Sequence, residues 1–199
     1  MSTYFEKAAS TYAQRSGAAW GAWSFMRRKE SEAVFALLDL PNASHLLDIG
    51  CGAGFYMEGA LKLFPSLSME GCDRSAAMVE AARARGLPAT ISDFLEFTPA
   101  KKANRIVSAG MLEFGDEIGL FFAKANQWLS LDGRIVILVP KPGVLGRVYH
   151  EFHRRRGNEV RLRTPADCEE AARNAGFVLR ESRSVLSFCW ALSFAKESH

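Results

Sequence analysis

The stretch His45-Leu46-Leu47-Asp48-Ile49-Gly50-Cys51-Gly52-Ala53-Gly54 decides how the rest of the chain is read. Its first five residues are a short, mostly apolar run stopped by glycine, the pattern of a strand buried on both faces. Three alternating glycines follow at once. Without a Cβ, such a loop turns tightly and lets the backbone approach a ligand closely. In an open α/β sheet ligands bind beyond the carboxyl ends of the strands, where this loop lies.

Working outward, strands and helices alternate. Phe55–Leu63 reads as a helix ended by Pro65, and Leu67–Cys72 as a second strand. Ser75–Arg85 reads as a helix with Ser75 as N-cap and Gly86 just past its end. Pro88–Ser92 is a third strand and Arg105–Ala109 a fourth, followed by a helix through about Leu129. Gly133 opens the most hydrophobic strand, Arg134–Val139. This alternation predicts βαβ units and a parallel sheet with helices on both faces, a three-layer α/β sandwich. Beyond residue 143, helices near Val144–Arg155 and Pro165–Asn174 precede two strands, Phe177–Ser182 and Val185–Phe194. Joined by only two residues or so, these must pair antiparallel and form an edge. Upstream, Tyr4–Arg15 and Trp20–Leu38 read as helices, the second with Phe25, Val34, Leu37 and Leu38 at helical spacing.

The chain has 199 residues, 48% hydrophobic and 24% charged, which suits one domain with a single core. No run approaches eighteen apolar residues, and the N-terminus carries Glu6 and Lys7 where a secretory signal needs an apolar stretch. The expectation is a cytoplasmic protein. Cys51, Cys72, Cys168 and Cys189 form no C-x-x-C pair and are expected to be free thiols, with no metal site. A net charge of +3 is too mild to imply nucleic acid.

Asp73 follows Gly54 by nineteen residues, at the end of the second strand, where a carboxylate can accept both hydroxyl hydrogens of a ribose. Dinucleotide sites favour G-x-G-x-x-G, but the spacing here is G-x-G-x-G, with Phe55 in the place of the third dinucleotide glycine. Asp48, just before the loop, would repel a pyrophosphate and suits an ammonium group. S-adenosylmethionine (SAM) has an ammonium group and no phosphate, so the loop favours SAM over a nicotinamide dinucleotide. Asp93-Phe94 after the third strand can bond an adenine amino group and stack on its ring, or Asp93 can simply cap the next turn.

Together these residues resemble the class I SAM-dependent methyltransferases over roughly residues 44–194. The resemblance rests on Leu47–Gly54, on Gly71–Met78, on Ser92-Asp93-Phe94 and on Trp128–Ile137, where Leu131-Asp132-Gly133 replaces the usual Pro-Gly-Gly. It implies a seven-stranded sheet with an antiparallel C-terminal edge, and a SAM-binding core (44–199) behind N-terminal helices (1–41) that act as a lid. It further implies that Asp48, Gly50, Cys51, Gly52 and Gly54 hold the methionine part and Asp73 the ribose. Arg74 and Met78 would flank the adenine, with Asp93 and Phe94 completing its pocket. Ala109 and Tyr12 complete the implied cofactor set, and Tyr4 and Trp20 are further lid candidates. The product would be S-adenosylhomocysteine (SAH), the acceptor a small molecule.

One departure matters. Ala109–Phe114 matches a segment that reads Leu-Glu-His in many small-molecule relatives, and Phe114 holds the histidine position. His150 and His153, on one helical face, are the remaining candidates for a base or acceptor-binding group, against the plainer reading of a solvated face. Arg154, Arg155, Arg156, Arg161 and Arg163 crowd together, which favours an anionic acceptor, carrier protein or lipid surface, or is likewise a solvated face. Two other functions stay open: a silent SAM-fold binding protein and a nicotinamide-dependent oxidoreductase.

Overall fold

The structure, a computed structural model, describes residues 22–197. The helix expected at Tyr4–Arg15, the first residues of the one expected at Trp20–Leu38, and the candidates Tyr4, Tyr12 and Trp20 lie outside them.

The elements run α1 (Ala22–Leu38), β1 (His45–Ile49), α2 (Phe55–Leu63), β2 (Ser68–Asp73), α3 (Ala76–Arg83), β3 (Ala89–Ile91) and β4 (Ala103–Ala109). Then come α4 (Ile118–Trp128), β5 (Leu129–Pro140), α5 (Val144–Arg154), α6 (Pro165–Arg173), β6 (Phe177–Val185) and β7 (Cys189–Lys196). The seven strands form one sheet in the order β3-β2-β1-β4-β5-β7-β6. β1 to β5 pair in parallel, and β7 is antiparallel to both β5 and β6. The order therefore reverses between β1 and β4, which opens a crevice at their carboxyl ends.

Alternation along the strands sorts the core into two layers. Leu46, Val107, Val136 and Leu138 face α1, α2 and α3, meeting Val34, Leu37, Met57 and Val79. Leu47, Ile106, Ile135 and Ile137 face the other way, onto Phe121 and Phe122 of α4 and Cys168 of α6. Each such side chain, fully buried, contributes roughly 1.5–3 kcal/mol. Asp48 shares its direction with Leu46, so the strand's period of two places a carboxyl in the first layer.

The last turn of α1 is held by side chains from the sheet. Arg105 donates to the carbonyls of Leu38 and Asp39, and Arg134 to that of Leu37 at 2.9 Å. Glu30 of α1 accepts from Cys189 of β7. Phe25 departs from its expected core role: it is exposed, with Arg28 and Lys29 over its ring.

Two boundaries also differ from expectation. β5 begins at Leu129, because Leu129 pairs with Ala103 ahead of a register shift between Ala103 and Arg105. The β6–β7 turn falls at 186–188, since Arg180–Ser184 continue β6 as an exposed polar outer strand. All four cysteines are buried free thiols. Among the described residues no helix is long and apolar enough to cross a membrane.

Candidate functional site

The loops after β1, β2, β3 and β4 converge on one cavity of about 200 Å³. Gly50, Cys51, Gly52 and Ala53 form its edge at β1, and Asp73, Arg74, Ser75 and Met78 its edge at β2. Ser92–Leu95 contribute from β3, and Ala109–Leu112 with Phe114 from β4.

The glycine loop is fixed by backbone bonds. Gly50 and Cys51 N–H both donate to the Cys72 carbonyl, at 2.8 and 3.0 Å. Gly50, Gly52 and Gly54 all take positive φ, as a run of alternating glycines allows. A Cβ on Gly50 would lie 2.6 Å from Cβ of Met111, so the β1 and β4 loops touch across the crevice. Gly54 does not line the cavity. It starts α2, and a Cβ there would run into Leu87.

Asp73 ties the β2 loop to the glycine loop. Its Oδ2 accepts Gly52 N–H and its Oδ1 accepts Ser75 N–H, both at 2.9 Å. Ser75 caps α3 by accepting Met78 N–H at 3.3 Å. Asp93 takes the plainer of its two expected roles: Oδ1 accepts Leu95 N–H at 3.0 Å and caps the following turn, while the residue also borders the cavity. Phe94 lines the cavity and meets Phe121 edge-on at 6.3 Å.

Asp48 lies beneath the loop rather than on the cavity wall. Its Oδ2 is buried without a hydrogen-bond partner. Burial, with the negative charge of Asp73, raises its pKa to about 8. The carboxyl is thus poised to gain from a cation placed over the glycine loop.

His150 and His153 do not line the cavity. His150 Nδ1 lies 2.9 Å from the Val160 carbonyl. His153 is buried among Phe114, Tyr149 and Phe152, with ring centroids 4.5–5.2 Å away, and burial lowers its pKa to about 4. Their helix turns this face into the protein instead of towards solvent or ligand. The clustered arginines have partners in the fold: Arg154 and Arg155 pair with Glu151 on an exposed face, Arg161 with Asp116 and Glu159, and Arg163 bonds the carbonyls of Leu112 and Gly115.

Several site residues were not foreseen from the sequence. Arg27 of α1 reaches the cavity wall, its guanidinium 4.5 Å from the centre of the Phe55 ring and 3.0 Å from Glu30. Arg85 bonds the Ala53 carbonyl at 2.7 Å and pairs with Glu58. Glu113 sits behind Phe114, buried, with Tyr149 donating to Oε1 at 3.4 Å and Oε2 unpartnered. Burial raises its pKa to about 7. Arg27 stands in the run Met26-Arg27-Arg28-Lys29, which looks like any solvated helix face, so nothing local marked it.

Residues 46–133, from β1 into β5, match the family described as methyltransferase domain. Over that stretch the chain is similar to this family. The strand order and the antiparallel C-terminal edge around this stretch are those of the class I methyltransferase fold.

Two curated relatives are trans-aconitate 2-methyltransferases. That of Acidovorax ebreus (strain TPSY) is 28% identical over 130 residues, covering 64% of this chain and 50% of the relative. That of Paracidovorax citrulli (strain AAC00-1) is 34% identical over 124 residues, covering 60% and 44%. The chain thus spans about half the length of these relatives. Among solved structures, the magnesium protoporphyrin IX methyltransferase of Synechocystis PCC 6803 with bound SAH superposes with a TM-score of 0.76 at 13% identity. That match covers 98% of this chain and 97% of the other, and it is a likeness of fold.

Proposed function

We propose that this chain transfers a methyl group from SAM to a small-molecule acceptor bearing a carboxylate. The observation that carries the reading is the meeting of the glycine loop with Asp73, above Asp48 with its buried, unpartnered Oδ2, at the crevice where the strand order reverses. Those features fit a positively charged, phosphate-free nucleoside. A buried acid under the loop favours a cation and disfavours a pyrophosphate. Each carboxylate oxygen of Asp73 can accept a second bond, which suits ribose hydroxyls. Gly50, Cys51 and Gly52 would hold the amino-acid end, with Met78, Asp93 and Phe94 around the base. Arg74 and Ala109 border the same cavity.

Bound there, SAM supplies a methyl group on a sulfonium sulfur, whose displacement needs no proton on the leaving group and yields SAH. What remains for the protein is to align the acceptor and exclude water. Among the described residues no histidine lines the cavity, and Phe114 stands on its wall at the position where the family resemblance would put one. A carboxylate acceptor needs no base, because it is already ionised at neutral pH. Arg27, stacked on Phe55 at the cavity wall, supplies a fork-shaped cation suited to carboxylates. The relatives named for trans-aconitate, a carboxylate, support the same acceptor class.

Labelled-methyl transfer from SAM to a panel of di- and tricarboxylates tests this. Turnover with a carboxylate, and a rise in its KM of roughly tenfold or more in Arg27→Met, is expected. Methylation of neutral alcohols or amines alone would overturn the acceptor class.

A further inference from the structure

α5 carries a surface that the cavity does not use. Its inner face is Gly146, Tyr149 and His153, packed on Phe188 and on the segment that walls the cavity. Its outer face is apolar. Val144, Val148 and Phe152 follow at intervals of four and Leu145 lies beside them, so the four form one strip along the helix. They are 69%, 63%, 43% and 50% exposed, respectively. Basic side chains surround the strip. Residues 141–156 hold Lys141, Arg147, Arg154, Arg155 and Arg156 against a single acid, Glu151. Arg156 lies over the Phe152 ring at 3.5 Å, which joins the charged rim to the apolar strip.

We infer that α5 is a docking face for an anionic bilayer surface. An interfacial helix has this make-up, apolar side chains for the acyl boundary and cations for the headgroups. A second copy fits poorly, because a twofold contact would bring the same cations face to face. A folded protein partner fits poorly too. An eleven-residue helix is about 16 Å long, and one strip of that length falls far short of the ~800 Å² per partner of a stable complex. Docked this way, the protein would hold its Leu112–Gly115 cavity wall one helix away from the headgroups. The proposal does not depend on the acceptor assigned above.

Co-sedimentation with vesicles of phosphatidylglycerol and phosphatidylcholine in equal parts tests it, with phosphatidylcholine alone as the comparison. The chain is expected to sediment with the mixed vesicles, to do so less as salt is raised, and to remain soluble with phosphatidylcholine. Leu145→Glu/Val148→Glu should lower partitioning about tenfold or more while leaving SAM binding and the unfolding midpoint in place. If that variant fails to fold, Arg147→Glu/Arg156→Glu, both outside the core, gives the same readout. Three results would overturn the proposal: no binding to the mixed vesicles at low salt, equal binding by the variants, or a dimer in light scattering that the variants dissolve.

Discussion

Asp73 and Gly52, twenty-one residues apart, are joined by a bond of 2.9 Å from the glycine N–H to the carboxylate, whose other oxygen holds Ser75 N–H. One side chain thereby sets the spacing between the loops of the first two strands. Replacing Asp73 with Ala leaves both N–H groups without this acceptor and should cost about 2 kcal/mol of stability. Asp73→Asn keeps one acceptor oxygen and should cost less, yet lose SAM affinity tenfold or more because the charge is gone. Urea unfolding and calorimetric titration separate the two effects. Equal affinity in Asp73→Asn and the parent would refute a ribose-holding role.

The glycines of the loop should fail differently. In Gly54→Ala the added methyl meets Leu87, at a φ of +83°, and a loss of about 2–4 kcal/mol is expected. In Gly52→Ala the nearest atom is Met78 Sδ at 4.0 Å, so only the backbone strain of about 1 kcal/mol applies. Gly52 lies on the cavity edge, however, and its methyl should reduce SAM binding more than stability. A Gly52→Ala protein that binds SAM normally would move the ligand away from this loop.

Asp48 makes stability depend on pH in an unusual direction for an acid. The unfolded carboxyl ionises near its ordinary value of 3.8, the folded one near 8. Between those values the folded state holds the extra proton, so stability falls as pH rises and levels off above about 8. Asp48→Asn should flatten that slope, as measured by urea unfolding at pH 5 and pH 8. A bound cation favours the ionised carboxyl, so SAM affinity in the parent should rise with pH over the same window. A flat binding profile would separate Asp48 from the ligand.

His153 works the opposite way. Burial among aromatic rings holds its pKa near 4, while the unfolded imidazole titrates near 6.5. Stability contributed by keeping it neutral is therefore lost as pH falls from about 6.5 towards 4. His153→Phe should remove this acid sensitivity and leave turnover within about twofold. A large loss of turnover at unchanged stability would restore the histidine as a working group.

The strands around the glycine loop were legible because they are buried on both faces and punctuated by Gly and Pro. Where that contrast fades, the reading slipped. Leu131, apolar but 87% exposed, lies in the part of β5 that projects before the register shift, so no apolar run marked its start. The second half of β6 is polar because one side of it meets only solvent. At the site, Asp73 and Phe94, read from their places after strands, and Met78, implied by the resemblance, all line the cavity. Arg27 and Glu113 did not show, because a cation in a basic run and an acid in a short turn acquire their surroundings only through tertiary packing. The i, i+3 spacing correctly set His150 and His153 on one helical side, yet spacing says nothing about which side faces inward.

The sheet's two margins have a consequence for the molecule in crowded solution. At one end β3 offers only three residues, and at the other β6 presents Arg180, Glu181 and Arg183. An incoming strand would have to register against a ribbon too short to hold it, or seat itself among charges. Fibre-like growth by strand addition is therefore blocked at both termini of the ladder, and copies of this chain that do associate must do so through their helices or loops.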